Sequence, residues 1–215
     1  MRRATFTDAA VTYGAIGGTL APDLMRYPPK GHRPLERSVR IGSGDERFRL
    51  ASRLLMTWGV QRGSGMSVTD LESGTGVQYT GVVFNNDGTA ASGQNRQGPE
   101  ETFSEDGTPY IVNGMTAQLK IPFGPFTVTA PVRVVYVVDE VDRVGFAYGT
   151  MKGHPESGEE AFIVEKHDDD SVWLTIRAFS RASTWYYRLA WPILRAQQAK
   201  FTTRYLRVLH PVGAM

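Results

Sequence analysis

The stretch Val144–Arg181, VGFAYGTMKGHPESGEEAFIVEKHDDDSVWLTIRAFSR, decides the fold. Two apolar runs, Val144–Met151 and Ala161–Lys166, flank a polar turn that holds Gly153, His154, Pro155, Glu156, Gly158, Glu159 and Glu160. A third run, Val172–Phe179, follows the acidic turn Asp168–Ser171. The runs are short, rich in β-branched and aromatic side chains, and bounded by Gly, Pro, Asp and Ser. That pattern predicts an antiparallel meander. The first turn gathers one imidazole and three carboxylates, so chemistry is to be sought there.

Upstream, Val132–Val138 (VRVVYVV) alternates so that Val132, Val134, Tyr136 and Val138 share one face, opposite Arg133, Val135 and Val137. Both faces are mainly apolar, which predicts a central strand. Met115–Ile121 and Phe126–Ala130 also read as strands, and Met66–Phe84 gives one or two more before the hairpin signal Asn86-Asp87-Gly88. Asn85–Thr108 is almost wholly polar and is expected to be a mobile insertion or lid. Leu35–Ile41 reads as a short strand, Pro22–Pro34 as loop, and Phe6–Gly18 as a strand or irregular entry segment. Ser43-Gly44-Asp45-Glu46 has the spacing of a capping box. Phe48, Ala51, Leu54, Leu55 and Trp58 follow at helical spacing, with Gly59 placed to close the helix.

The chain ends differently. Thr184–Leu209 puts Leu194, Gln198, Phe201, Tyr205 and Val208 on one helical side, with Ser183 or Thr184 as cap and a kink at Pro192. An early helix, a run of antiparallel strands and a terminal helix predict an α+β fold over residues 1–215 as one domain. In it a curved sheet wraps on a long C-terminal helix and encloses an internal cavity.

Twenty-four basic and 22 acidic side chains leave a net charge of +2, which gives no ground for a nucleic-acid partner. Cysteine is absent, which excludes disulfides, thiolate metal sites and a cysteine nucleophile. No run approaches about 18 apolar residues, so no membrane insertion is expected and the location expected is cytoplasmic. TYGAIGG and GSGDE miss the dinucleotide and phosphate-loop spacings, and no G-x-S-x-G elbow occurs. His154, Glu156 and Glu159 lack helical i, i+4 geometry, so neither a metal nor a cofactor is expected. The oligomeric state stays open, a homodimer included.

Arg133–Glu165 and Val172–Arg181, with TYGAIGG (12–18) and LLMTWGVQRGSG (54–65), resemble the DUF1990 or UPF0548 family, most specifically at GFAYGT-x-x-GHPE-x-GEE. The likeness covers most of the chain. It departs at Thr80–Gly114, which looks like an insertion, and at Ala182, where a proline is expected. The resemblance implies a fold similar to the START or Bet v 1 type, a helix-grip around an apolar cavity. Members of that wider group bind lipids, hormones or polyketides, and some cyclise polyketides.

The candidate catalytic residues are Glu160, His154, Tyr148 and Arg177. Glu160 shares a strand face with Phe162 and Val164, where a carboxyl holds its proton more tightly, unless it pairs with an arginine and only braces the sheet. Neighbouring Glu156, Glu159 or Glu160 would raise the proton affinity of His154 as a general acid or base; its plainer reading is a turn histidine bonded to backbone. Arg177 and Arg181 alternate with Trp173 and Phe179, and each needs a carboxylate or a ligand oxygen. Tyr148 shares a face with Phe146 and Thr150 and either bonds a ligand oxygen or closes a core hydrogen bond. Tyr136, Phe146, Phe162, Trp173, Phe179, Arg181 and Trp185 are expected to line the ligand space. Two functions fit: cofactor-independent acid/base closure of a polyketide-like hydroxy-ketone (spiroketal, cyclic ether or dehydrative), or non-catalytic carriage or sensing of an apolar ligand. A third, purely structural reading leaves the polar cluster to hold the meander.

Overall fold

The β-branched and aromatic runs form seven strands. These are β1 (Arg33–Ser43), β2 (Ser67–Glu72), β3 (Thr116–Phe123), β4 (Phe126–Asp139), β5 (Arg143–Thr150), β6 (Glu156–Lys166) and β7 (Ser171–Ala182). The structure, a computed structural model, describes residues 10–73, 103–104, 107–183 and 201–209. One sheet holds all seven strands in the order β1-β7-β6-β5-β4-β3-β2, every neighbouring pair antiparallel. The expected meander is β5-β6-β7, and β4 is interior as its two apolar faces require. β3 and β4 join through the two-residue turn Gly124-Pro125, where Gly124 takes φ +58.

Two short helices, α1 (Asp45–Leu55) and α2 (Gly59–Gly63), connect β1 to β2. Those strands are the opposite edges of the sheet, so the connection crosses a whole face, roughly 29 Å at the usual strand spacing. The capping box does not form. Ser43 is spent in β1, paired with Ser171, and Gly44 at φ +85 is the N-cap without a side-chain bond. Gly59 opens α2 instead of closing α1, because the chain reverses at Trp58, which takes φ +61. A bulky residue tolerates that conformation only where packing dictates it. Here the Trp58 side chain is fully buried, edge-on to Phe146 and stacked on Tyr148.

The sheet has two differently covered faces. One carries α1, α2 and the helical residues 201–208 over Phe146, Phe162, Leu174 and Ile176. The other carries the segment from Val11 to Leu24, whose Tyr13 and Leu24 pack on Phe179, while Ile16 packs on Ala147 and Ala161. That approach depends on Gly149, since a Cβ there would lie 2.3 Å from the Tyr13 hydroxyl.

The expected helix-grip, a sheet wrapped on a long C-terminal helix, is corrected. The described elements are the seven-stranded antiparallel sheet, α1, α2 and one 3-10 turn at Gly18–Leu20, so the fold is dominated by sheet. Residues 184–200, where most of that helix was expected, lie outside the described residues, and helix is described only over 201–208. The physical reason is that α1 and α2, which link the opposite edges of the sheet, share the cover of its apolar face with the helical residues 201–208. Asn85–Thr108 also falls almost wholly outside the described residues.

Candidate active site

Antiparallel register sets Tyr148 on β5 directly opposite Glu160 on β6, on the helix-covered face. The Tyr148 hydroxyl donates to Glu160 Oε2 at 2.5 Å. Burial pushes the Glu160 carboxyl up to about 7, against the pull of the Tyr148 bond, which favours the charged form. The Tyr205 hydroxyl, from residues 201–208, follows Tyr148 in the chain of polar groups, and lies 3.6 Å from Met66 Sδ.

The sequence reading placed Glu156 and Glu159 in a turn and let the strand begin at Glu160, but β6 begins at Glu156. Glu156 therefore stands on the same strand face as Glu160, with only Gly158 between them. A Cβ on Gly158 would lie 1.9 Å from the Phe179 carbonyl, so the floor between the two acids stays bare. Glu156 is also held up at about 7, first by burial and then by the charge of Glu160, while the Ser180 hydroxyl bond opposes the shift. His154 sits in the β5–β6 turn, its Nδ1 2.9 Å from the Glu156 amide N and 3.1 Å from the Glu156 carbonyl O. An amide N–H can only donate, so Nδ1 accepts and the ring proton is on Nε2. Burial lowers this imidazole to about 4, which keeps it neutral.

These groups line one end of a cavity of about 120 Å³. Leu119, Ile121, Phe123, Val128, Met66 and Phe201 supply its apolar walls. At about 30 Å³ per water that volume holds about four waters, close to the size of cavity that takes a benzene-sized molecule. None of these wall residues was expected from the sequence. The signal was weak, because β3 shows its cavity side only once its pairing with β4 is known.

Arg177 lies on the opposite face. Its guanidinium donates to Glu36 Oε2 at 2.9 Å, Thr19 O at 2.7 Å and Ala21 O at 2.8 Å. Glu159 also faces that way and is 2% exposed. It accepts from the Tyr13 hydroxyl at 2.7 Å, the Gly17 amide at 2.8 Å, the Thr19 amide at 2.9 Å and the Thr19 hydroxyl at 2.5 Å. Together they anchor the Tyr13–Ala21 loop.

The residues expected to line the ligand space are scattered. A bulge between Val134 and Tyr136 turns Tyr136 to the loop side, where its hydroxyl meets Thr19 Oγ1 at 2.7 Å. Phe179 packs there between Tyr13 and His32. Trp173 stacks on His167 and donates to Ser171 Oγ, and Arg181 is exposed beside Gly31. Phe146 and Phe162 stack on each other in the helix-covered core, and Trp185 lies outside the described residues. Among the described residues no group of three or more His, Cys, Asp or Glu is placed to hold a metal ion, and no helix is long and apolar enough to cross a membrane.

A family model described as "Domain of unknown function (DUF1990)" matches residues 12–90 and 94–208. A UPF0548 protein of Deinococcus radiodurans is 44% identical over 77 residues, which cover 36% of this chain and 39% of that protein. UPF0548 proteins of Dictyostelium discoideum and Arabidopsis thaliana are 34% identical over 82 residues and 33% over 81. The matched stretch spans 38–39% of the length of these curated relatives. A hypothetical protein of Helicobacter pylori has a similar fold, with a TM-score of 0.51 over 97% of this chain and 96% of that one, at 10% identity.

Proposed function

The chain belongs to the DUF1990 family, also called UPF0548, and from the chemistry of its cavity we propose that it is a cofactor-independent acid/base catalyst of ring closure in a small hydroxy-ketone. The observation that carries the reading is the Tyr148–Glu160 pair, a carboxyl near neutrality at the end of an apolar cavity. A general acid or base works best when its proton affinity matches the working pH. An apolar cavity of this size folds a flexible chain on itself and supplies proximity. Of the wider likeness to START and Bet v 1 proteins the reading keeps only a cavity that takes a small ligand. We propose the cytoplasm as its place of work, with which a chain free of cysteine is compatible.

The test uses 1,7-dihydroxyheptan-4-one, a short hydroxy-ketone that closes to a spiroketal. Wild-type protein accelerates closure over buffer, and E160Q loses about 100-fold or more with its melting temperature kept. Full activity in E160Q defeats the reading. The carrier alternative draws on the wholly apolar wall of Leu119, Ile121, Phe123 and Val128. It is favoured if calorimetry shows the spiroketal binding while wild-type protein leaves the rate of closure unchanged.

A further inference from the structure

Glu156 and Glu160 face the same cavity from one strand, separated by a residue with no side chain. Both partners are hydroxyls that favour a carboxylate, but they differ in strength. Glu160 accepts a bond from the phenol of Tyr148 at 2.5 Å, the more acidic and so the stronger donor. Glu156 meets the aliphatic Ser180 hydroxyl, a weaker donor, and has Glu160 as a charged neighbour, which disfavours a second negative charge. Among the described residues the cavity lining contains no Lys or Arg. We propose that Glu156 is a second catalytic carboxyl, the proton donor to a departing hydroxyl, while Glu160 accepts the proton of the attacking hydroxyl. The substrate class follows: an uncharged hydroxy-hemiketal that closes to a ketal by losing water. The inference rests on the acid/base reading above.

The step balances within the cavity. The Glu156 carboxyl gives its proton to the hemiketal hydroxyl, the C–O bond breaks, and water departs with both electrons of that bond. The second hydroxyl of the substrate adds to the resulting oxocarbenium carbon and passes its proton to the Glu160 carboxylate. Glu160 ends protonated and Glu156 ionised, and one proton moved from Glu160 to Glu156 through the released water resets the pair. Among the described residues the other titratable groups facing the pair are Tyr148 from β5, Tyr205 from residues 201–208 and His154 from the β5–β6 turn. Burial raises both tyrosines and keeps the imidazole neutral, so none exchanges a proton near neutral pH. An anionic substrate would lie beside two carboxyls with no cation among the described lining residues.

The full chain, carrying glutamate labelled with carbon-13 at the side-chain carboxyl, is titrated by NMR and assigned with E156Q and E160Q. Glu160 is expected to ionise before Glu156. E160Q should lower the Glu156 midpoint by removing its charged neighbour, and Y148F should raise that of Glu160. With 1,7-dihydroxyheptan-4-one, E156Q should form spiroketal about 100-fold more slowly, with hemiketal accumulating. Glu156 ionising first, or E156Q matching wild type, overturns the division of roles while leaving the loss in E160Q standing. Wild-type protein without any acceleration overturns the acid/base reading itself. If E156Q fails to fold, the order of ionisation in wild type and E160Q decides.

Discussion

Two adjacent glutamates on β6 show how far one residue of register reaches. Glu160 pairs with Ala178 and faces the cavity, whereas Glu159 pairs with Phe179 and faces the loop. Glu159 meets four donors from Tyr13, Gly17 and Thr19, so its oxygens are saturated and hold a segment distant in sequence. E159Q turns an amide NH₂ toward those donors and should cost about 2–3 kcal/mol, the usual worth of hydrogen bonds to a charged group. E160Q removes a charge that burial disfavours and keeps an acceptor for Tyr148, so at pH 8 it should leave stability unchanged or higher. Urea denaturation of the two variants reads the difference. Equal destabilisation would show that Glu160 is also a structural anchor.

At the scale of elements, β5 is where the two faces depend on each other. Gly149 lets the Tyr13 ring lie against the strand, so G149A should lift the Val11–Leu24 segment and cost about 1–3 kcal/mol. Limited proteolysis checks this: cleavage should move into that segment, and an unchanged pattern would mean that it is held without the Tyr13 contact. The meander was legible because its runs of Val, Ile and Phe leave strand as the only way to bury both faces. The start of β6 was not, since Glu156-Ser157-Gly158-Glu159-Glu160 reads as turn until its pairing with Gly149 and Tyr148 on one side and with β7 on the other is known. Alternation correctly grouped Arg177 with Trp173 and Phe179. It could not tell that this group faces Glu159 and not Glu160, because register between strands is a tertiary property. The bulge before Tyr136 defeated alternation within β4 for the same reason. Tyr148, Glu160 and His154 do meet at one cavity, and Arg177 binds the loop behind it.

For the whole molecule, the buried acids set how stability responds to pH. Glu156 and Glu160 hold protons up to about pH 7 when folded, against an ordinary value of 4.5 when unfolded. Between those values the folded chain binds more protons, so their contribution is fully present below 4.5 and is lost as pH rises through 7. His154 works in the opposite direction. Its folded value of about 4 lies below the ordinary 6.5, so its contribution is present above 6.5 and lost as pH falls through 4. The lowered values of Asp45 and Asp169 act only below 3.8, outside this window. His32 is also lowered, first by partial burial, and acts in the same direction as His154. Each of the three buried groups, Glu156, Glu160 and His154, is worth at most about 3 kcal/mol. The histidine contributions change only up to 6.5, whereas both carboxyls go on losing theirs all the way to 7, which leaves a net gain in mild acid. The urea midpoint should therefore be higher at pH 5.5 than at pH 7.5. Among the described residues the double variant E156Q/E160Q leaves His154 and His32 in the window, and its stability should fall on acidification instead. A wild-type midpoint that rises from pH 5.5 to 7.5 would mean that both carboxyls ionise as ordinary surface acids, and the proton donor in the cavity would be lost with them.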